Sequence, residues 1–259
     1  MAELSTINPL SKQFSAADGA QCICAMFNRH GGISKGLYAS LNVGDNVGDR
    51  DGAGPENRLL VKKSLAIDHV LRAKQIHGSE IYCLTEPLTK DLEVEGFDAL
   101  ITDQAGVGLM IQQADCQAVL LFDSVREVIA AVHCGWRGSV QNILLRVIAT
   151  MTNTYGTVPA EIQALISPSL GSCCAEFINY QRELPEQFYP FMVGDKYFDF
   201  WGISRRQLQD AGVPEQRISA AEICTCCSDA YFSYRRASRV SQGQTGRNCS
   251  VIVLHKQKA

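Results

Sequence analysis

The chain has 259 residues, 46% of them apolar and 20% charged, with 24 Lys and Arg against 27 Asp and Glu for a formal charge of −3. That composition excludes a disordered chain, and the missing basic excess argues against a nucleic-acid partner. No apolar run reaches the about 18 residues of a membrane span, and the first 14 residues lack the basic and apolar regions of a signal peptide, so the expectation is a cytoplasmic protein with no membrane partner.

Short apolar runs between turn signals predict strands over 20–27, 80–84, 98–102, 107–112, 117–122, 128–133, 162–166 and 249–254. Residues 55–66 read as a helix with Pro55 in its first turn. The clearest helical periodicity runs over 139–153, where Val140, Ile143, Leu144, Val147, Ile148 and Met151 share one face and Ser139 is the expected N-cap. A third helix is expected over 204–211, closed by Gly212 and Pro214. The polar stretch 237–248 reads as a mobile surface loop. No linker or repeat divides the chain, so 1–259 is taken as one domain. Many strands in succession with few strand–helix–strand alternations predict an α+β fold, a central mixed β-sandwich flanked by helices.

The chemistry concentrates around Asp115-Cys116 and His133-Cys134-Gly135-Trp136-Arg137-Gly138. Their two strands are joined by a short polar turn, which predicts an antiparallel hairpin. A turn centred between Ser124 and Val125 places Phe122 opposite Glu127 and Cys116 opposite His133. Such a pair suits either two ligands of one metal or a Cys–His nucleophile pair. Of five histidines, His77 sits at a Gly where an imidazole can enter a cleft, and His30, His69 and His255 read as bystanders. The absence of any His-x-His pair argues against a multicopper oxidase. Gly135 to Gly138 leads into the Ser139 helix, where Arg137 and free N–H groups are candidates for an anion site. Eleven cysteines, an odd number with adjacent pairs, read as reduced thiols. Cys224-Thr225-Cys226-Cys227 contains a C-x-x-C that Cys173-Cys174 would complete as a four-cysteine zinc set, although the spacing is irregular. The run Tyr231 to Arg236 reads as a half-buried strand or as the lining for a planar anionic ligand.

Gln75-Ile76-His77-Gly78, Ala114-Asp115-Cys116, His133-Cys134-Gly135-Trp136-Arg137-Gly138, Phe232-Ser233-Tyr234-Arg235-Arg236 and Gly246-Arg247 occur in the order and spacing of the laccase-domain family. So do Arg29-His30-Gly31-Gly32, Asn42-Val43-Gly44 and Glu56-Asn57-Arg58. The chain resembles this family, once described as multicopper polyphenol oxidases and now as purine nucleoside phosphorylases with adenosine deaminase activity. The resemblance implies one metal held by His77, Cys116 and His133, zinc rather than the copper of the older description. It implies adenosine, inosine, guanosine and methylthioadenosine as substrates, together with phosphate. Arg29, Asn42, Arg58, Gln75 and Arg137 are the substrate-binding candidates, with Arg137, or Arg29 and Arg58, for phosphate. Cys116 is a candidate catalytic residue, and Asp115 and then Glu176 are the candidates for proton transfer. Gln113, Gln117, Cys134 and Ser167 depart from the usual pattern without removing a ligand. The alternatives are a metal-free Cys–His hydrolase or deamidase, and a non-enzymatic nucleotide-binding protein.

Overall fold

Strands that are apolar at every position need cover on both faces. Two neighbours here, Gln117–Asp123 and Val128–Cys134, are buried at all their positions, so a layer must lie on each side of them. The structure, a computed structural model describing residues 7–15 and 21–255, supplies those layers. One sheet contains β1 (Leu10–Ser15), β2 (Gln21–Phe27), β3 (His69–Lys74), β5 (Leu92–Glu95), β7 (Val107–Gln113) and β14 (Asn248–His255), in the spatial order β1-β2-β14-β7-β3-β5. The other contains β4 (Ile81–Leu84), β6 (Ala99–Thr102), β8 (Gln117–Asp123), β9 (Val128–Cys134), β10 (Ile162–Ile166) and β13 (Ile218–Ala220), in the order β13-β10-β8-β9-β6-β4. A small hairpin joins β11 (Met192–Val193) to β12 (Tyr197–Phe198). Both large sheets are mixed, with β3 parallel to β5 and β7, β4 to β6, and β10 to β13.

The sheets stack face to face. Met26, Leu71, Leu109 and Ile252 of the first meet Leu100, Leu120, Phe122 and Ile129 of the second in one buried cluster. Helix α1 (Ala53–Ser64) covers the outer face of the first sheet through Val61. Behind the second sheet lie α2 (Trp136–Val140), α3 (Ile143–Tyr155) and α5 (Phe200–Asp210), while α4 (Tyr180–Glu183) and α6 (Tyr234–Val240) flank the loops at one end. The α+β sandwich expected from the sequence is present.

The expected strands reappear within one or two residues of their predicted limits, apart from Ala20, which lies outside the described residues, as does the start of the segment read as lacking a signal peptide. Two of the unpredicted strands lie at the edges of the first sheet. Edge strand β5, Leu-Glu-Val-Glu, is half exposed and charged, and β1 is largely exposed, so neither carries the apolar run that marks a central strand. The helix expected over 139–153 is two helices. Asn142 takes a left-handed conformation (φ 51°) and accepts from Leu145 N at 3.4 Å, capping α3. Ser139 is therefore not the cap; it is buried inside α2, and α3 presents the predicted face of Ile143, Leu144, Val147, Ile148 and Met151. The third helix starts earlier than expected, at Phe200, because Asp199 accepts from Gly202 N at 3.1 Å. The stretch read as a mobile loop begins inside α6 and ends with Thr245 and Asn248 buried. Tyr231 to Arg236 is likewise no strand. Tyr231 and Phe232 are buried, and Ser233 caps α6 by accepting from Arg236 N at 3.1 Å.

Phe122 is fully buried between the sheets and packs on Phe14 at a centroid distance of 6.2 Å. Phe122→Ala should cost about 3–5 kcal/mol, read as a lowered denaturation midpoint. A loss under about 1 kcal/mol would show that the two layers can close over the gap.

Candidate active site

Several crossings from one sheet to the other lie at the same end of the sandwich. Residues 75–80 link β3 to β4, and Ala114 to Cys116 link β7 to β8. His77 stands on the first crossing, Cys116 on the second, and His133 near the end of β9. Their donor atoms all lie within 4.8 Å of one another.

The hairpin that delivers Cys116 and His133 differs from expectation by one step. Its loop is the four-residue Ser124 to Glu127, so Asp123 faces Val128 and Ala118 faces His133. The loop in this position is stabilised by Asp123 Oδ1, which accepts from Val125 N and Arg126 N at 3.0 and 3.2 Å, and by Glu127 at φ 55°. Because this loop is also even in length, Cys116 keeps to the His133 face as a diagonal neighbour. The residue directly beyond His133 on that side is Gly135. A Cβ there would lie 3.2 Å from Cys116 Sγ and 3.3 Å from His77 Cδ2, so Gly135 admits the three ligating side chains.

Asp98 holds the arrangement together, and the sequence reading missed it. Fully buried at the head of β6, it accepts from His133 Nδ1 at 2.7 Å and His77 N at 2.9 Å through Oδ1. Its Oδ2 accepts from Gly78 N at 2.7 Å and Ile76 N at 3.2 Å. Burial raises the Asp98 carboxyl, but His133 and these backbone N–H groups outweigh it and hold the group below its ordinary range. With Nδ1 engaged, His133 turns Nε2 toward Cys116. Burial also raises the Cys116 thiol, yet the charges and hydrogen bonds of His133 and His77 bring it down to about 6. Burial lowers His133, and Cys116 and Asp98 more than reverse this, lifting it to about 9. Two nitrogens and a sulfur converging in this way, with a carboxylate behind one imidazole, match the donor set of a soft or borderline metal such as zinc.

The cluster forms the floor of a cavity of about 1000 Å³. Trp136, Phe177 and Phe200 line one wall, with Phe177 at centroid distances of 6.2 and 5.2 Å from the other two. Four basic residues line it as well. Arg72 is paired with Asp45 and Glu93, and Lys74 with Glu95, whereas Arg235 and Arg247 form no salt bridge among the described residues. Arg235 donates to the carbonyls of Cys174 and Glu176, and Arg247 to those of Thr245 and Gly246.

The other candidates divide. Gln75 lines the cavity but uses its amide to grip both backbone groups of Gln112, at 2.8 and 2.9 Å. Asp115 lines it too, strained at φ 91°, with Oδ1 accepting from Thr225 Oγ1 at 2.7 Å and Oδ2 from Arg235 N at 2.5 Å. Asn42 is buried away from the wall and accepts from Arg247 N at 2.8 Å. The remaining arginine candidates face elsewhere. Arg29 donates to Ala39 O and stacks on Phe232, Arg58 pairs with Asp45, and exposed Arg137 lies over the ring of Trp136. Helix α2 is only five residues long, so the anion site expected at Arg137 and Ser139 has neither a long helix nor an inward guanidinium. Glu176 contributes its carbonyl to Arg235 but does not line the cavity. Gln113 lines it, and Gln117 donates to Phe200 O at 2.9 Å, fixing the aromatic wall.

Residues 23–255 match the family described as multi-copper polyphenol oxidoreductase laccase. The chain belongs to this family. A purine nucleoside phosphorylase of Corynebacterium glutamicum is 35% identical over 236 residues, covering 88% of this chain and 93% of the relative. A purine nucleoside phosphorylase of Deinococcus radiodurans is 34% identical, covering 90% of each. Adenosine deaminase RL5, from an unknown prokaryotic organism, is 27% identical and covers 82% of this chain and 87% of its own. Among solved structures, YlmD of Geobacillus stearothermophilus superposes with a TM-score of 0.81 at 28% identity, covering 96% of this chain and all of its own.

Two measurements test the site. Asp98→Ala frees His133 and the 76–78 loop together and should weaken metal binding about 10- to 100-fold, by competition with a chromogenic chelator; unchanged affinity would remove Asp98 from its supporting role. In chelator-treated protein the Cys116 thiolate should form near pH 6 rather than at the ordinary 9.0, and His133 should stay protonated to about 9. The contribution of the depressed thiol is lost as pH falls through about 6, and that of the raised imidazole as pH rises through about 9. Alkylation of the Cys116 peptide, followed by mass spectrometry, should therefore reach half its maximal rate near pH 6; a midpoint near 9 would show that no ion pair forms.

Proposed function

We propose that this protein is a zinc-dependent purine nucleoside phosphorylase that acts on adenosine, inosine, guanosine and methylthioadenosine and also deaminates adenosine. The carrying observation is the meeting of His77, Cys116 and His133 on the floor of a cavity that also holds two arginines with no salt bridge among the described residues. The names of the relatives support the reaction class, and the aromatic wall suits a planar base. A cavity of this size accepts a nucleoside and an anion together.

His77, Cys116 and His133 would hold the metal, which supplies Lewis-acid activation at the position that three protein ligands leave open. Asp98 fixes the His133 tautomer. Arg247 and Arg235 bind phosphate, because Arg72 and Lys74 are already paired and Arg29, Arg58 and Arg137 do not reach the cavity. Asp115 positions Cys116 through its bonds to Thr225 and Arg235, both oxygens being engaged, and the aromatic wall orients the purine while excluding water. The reduced cysteines favour a cytoplasmic setting. The metal-free Cys–His reading uses the same Cys116–His133 pair with Asp98 behind it, but it leaves His77 without a task, and metal content separates the two.

Zinc-loaded protein incubated with adenosine should form adenine and ribose 1-phosphate only when phosphate is present, and inosine without it, as identified by mass. Arg247→Ala should raise the phosphate KM about ten-fold or more and affect deamination far less, while Arg137→Ala changes neither. No base release from any of these nucleosides by metal-replete protein would overturn the phosphorylase reading.

A further inference from the structure

A second group of potential ligands lies outside the cavity. Two turns meet where Ser169 pairs with Cys224, with Ser169 N donating to Ile223 O at 3.1 Å and Thr225 N to Ser169 O at 2.9 Å. One turn carries Cys173 and Cys174, the other Cys224 and Cys227, and the four sulfurs lie within 4.8 Å of one another. Cys227 Sγ is 3.6 Å from that of Cys173 and 3.5 Å from that of Cys174. Cys226 is not in the set.

Burial does not explain this gathering. A free cysteine is ordinarily a small buried apolar group, yet Cys173 and Cys227 are exposed. Their spacing has another meaning. Four sulfurs about 2.3 Å from one zinc stand about 3.8 Å apart along each tetrahedral edge, close to the two distances above. Gly171 is needed for the approach, since a Cβ there would lie 3.0 Å from Cys224 Cβ and 3.4 Å from Cys173 Sγ. A tetrathiolate zinc carries a net charge of −2, and two guanidiniums are built into its loops. Arg236 Nη1 donates to the carbonyls of Thr225, Cys226 and Ser228 at 2.8, 2.9 and 3.1 Å, and Arg235 Nη1 to that of Cys174 at 2.7 Å.

We propose that Cys173, Cys174, Cys224 and Cys227 form a second, structural zinc site, separate from the His77–Cys116–His133 cluster. Four protein ligands close the coordination shell, so this ion does no chemistry. Its task is to brace the wall. Thr225 and Arg235 grip the Asp115 carboxylate, and Leu170 N donates to Asp115 O at 2.8 Å. Clamping the two turns therefore fixes the residue that precedes Cys116.

The decisive measurement is cobalt and zinc binding to a His77→Ala/Cys116→Ser variant, purified under reductant. This variant should bind about one equivalent of either ion, with the near-ultraviolet sulfur-to-cobalt absorption and visible bands of a tetrahedral thiolate site. Cys173→Ser/Cys227→Ser should lose one equivalent relative to the parent protein, together with that absorption, and melt at a lower temperature. If the double variant lacking the cavity ligands has the native circular dichroism but binds no cobalt or zinc, the second site does not exist. Cobalt bound without thiolate absorption, or a disulfide among the four cysteines persisting under reductant, would equally overturn it.

Discussion

The site depends on one buried carboxylate. Asp98 accepts four hydrogen bonds, three from backbone N–H groups of the loop that carries His77 and one from the His133 ring. His77 lies on a loop between the sheets and His133 on a strand of the second, and this common acceptor fixes their relative position. A charge with no solvent access is costly unless fully paired. Here every bond that compensates for burial also orients a ligand, so stability and function draw on the same contacts.

The architecture decides where such a carboxylate can act. The central strands β8 and β9 are covered on both faces and are close to continuous apolar runs, which leaves little room for chemistry along them. The site gathers instead at one end of the sandwich, where the crossings that carry His77, Asp98 and Cys116 lie together and polar residues of β3, β5 and β7 complete the lining. The family description speaks of several coppers, but only five histidines are present, and of these only His77 and His133 meet. The donor set suits one ion at this position, which fits the phosphorylase and deaminase names of the relatives better than multicopper oxidation.

What the sequence made legible follows from this. Central strands such as β8 and β9 and the inward face of α3 were readable because burial imposes an apolar pattern. The charged edge strand β5 has no such pattern. The His133–Cys116 association was readable through the parity of the hairpin, which survived a shift of the loop by one residue. The break at Asn142 was not, because a left-handed Asn inside a helical periodicity leaves the apolar spacing intact. Asp98 was invisible for another reason. Its partners lie 20 to 35 residues away in sequence, and an Asp opening the expected strand 98–102 carries no local signal of them. For the arginines, sequence proximity to the glycine-rich turn says nothing of direction; Arg137 follows that turn yet lies on Trp136, while Arg247, far away in sequence, lines the cavity.

That placement bears on how one cavity would serve two reactions under the proposed reading. Its acidic side, Asp45, Glu93 and Glu95, is paired with Arg58, Arg72 and Lys74, so an entering anion meets repulsion and attraction in near balance there. On the other side, Arg235 and Arg247 hydrogen-bond to backbone carbonyls and form no salt bridge among the described residues. Under the proposed reading a phosphate would be favoured there, and the aromatic wall would hold the base. Under that reading, phosphate in this sector would attack ribose C1′ and the base would leave, whereas deamination needs water at C6 of the purine with ammonia leaving. The choice between the two reactions would then be set by which carbon of the nucleoside faces the His77–Cys116–His133 cluster, and occupancy of the arginine-lined sector by phosphate would favour the placement that presents C1′.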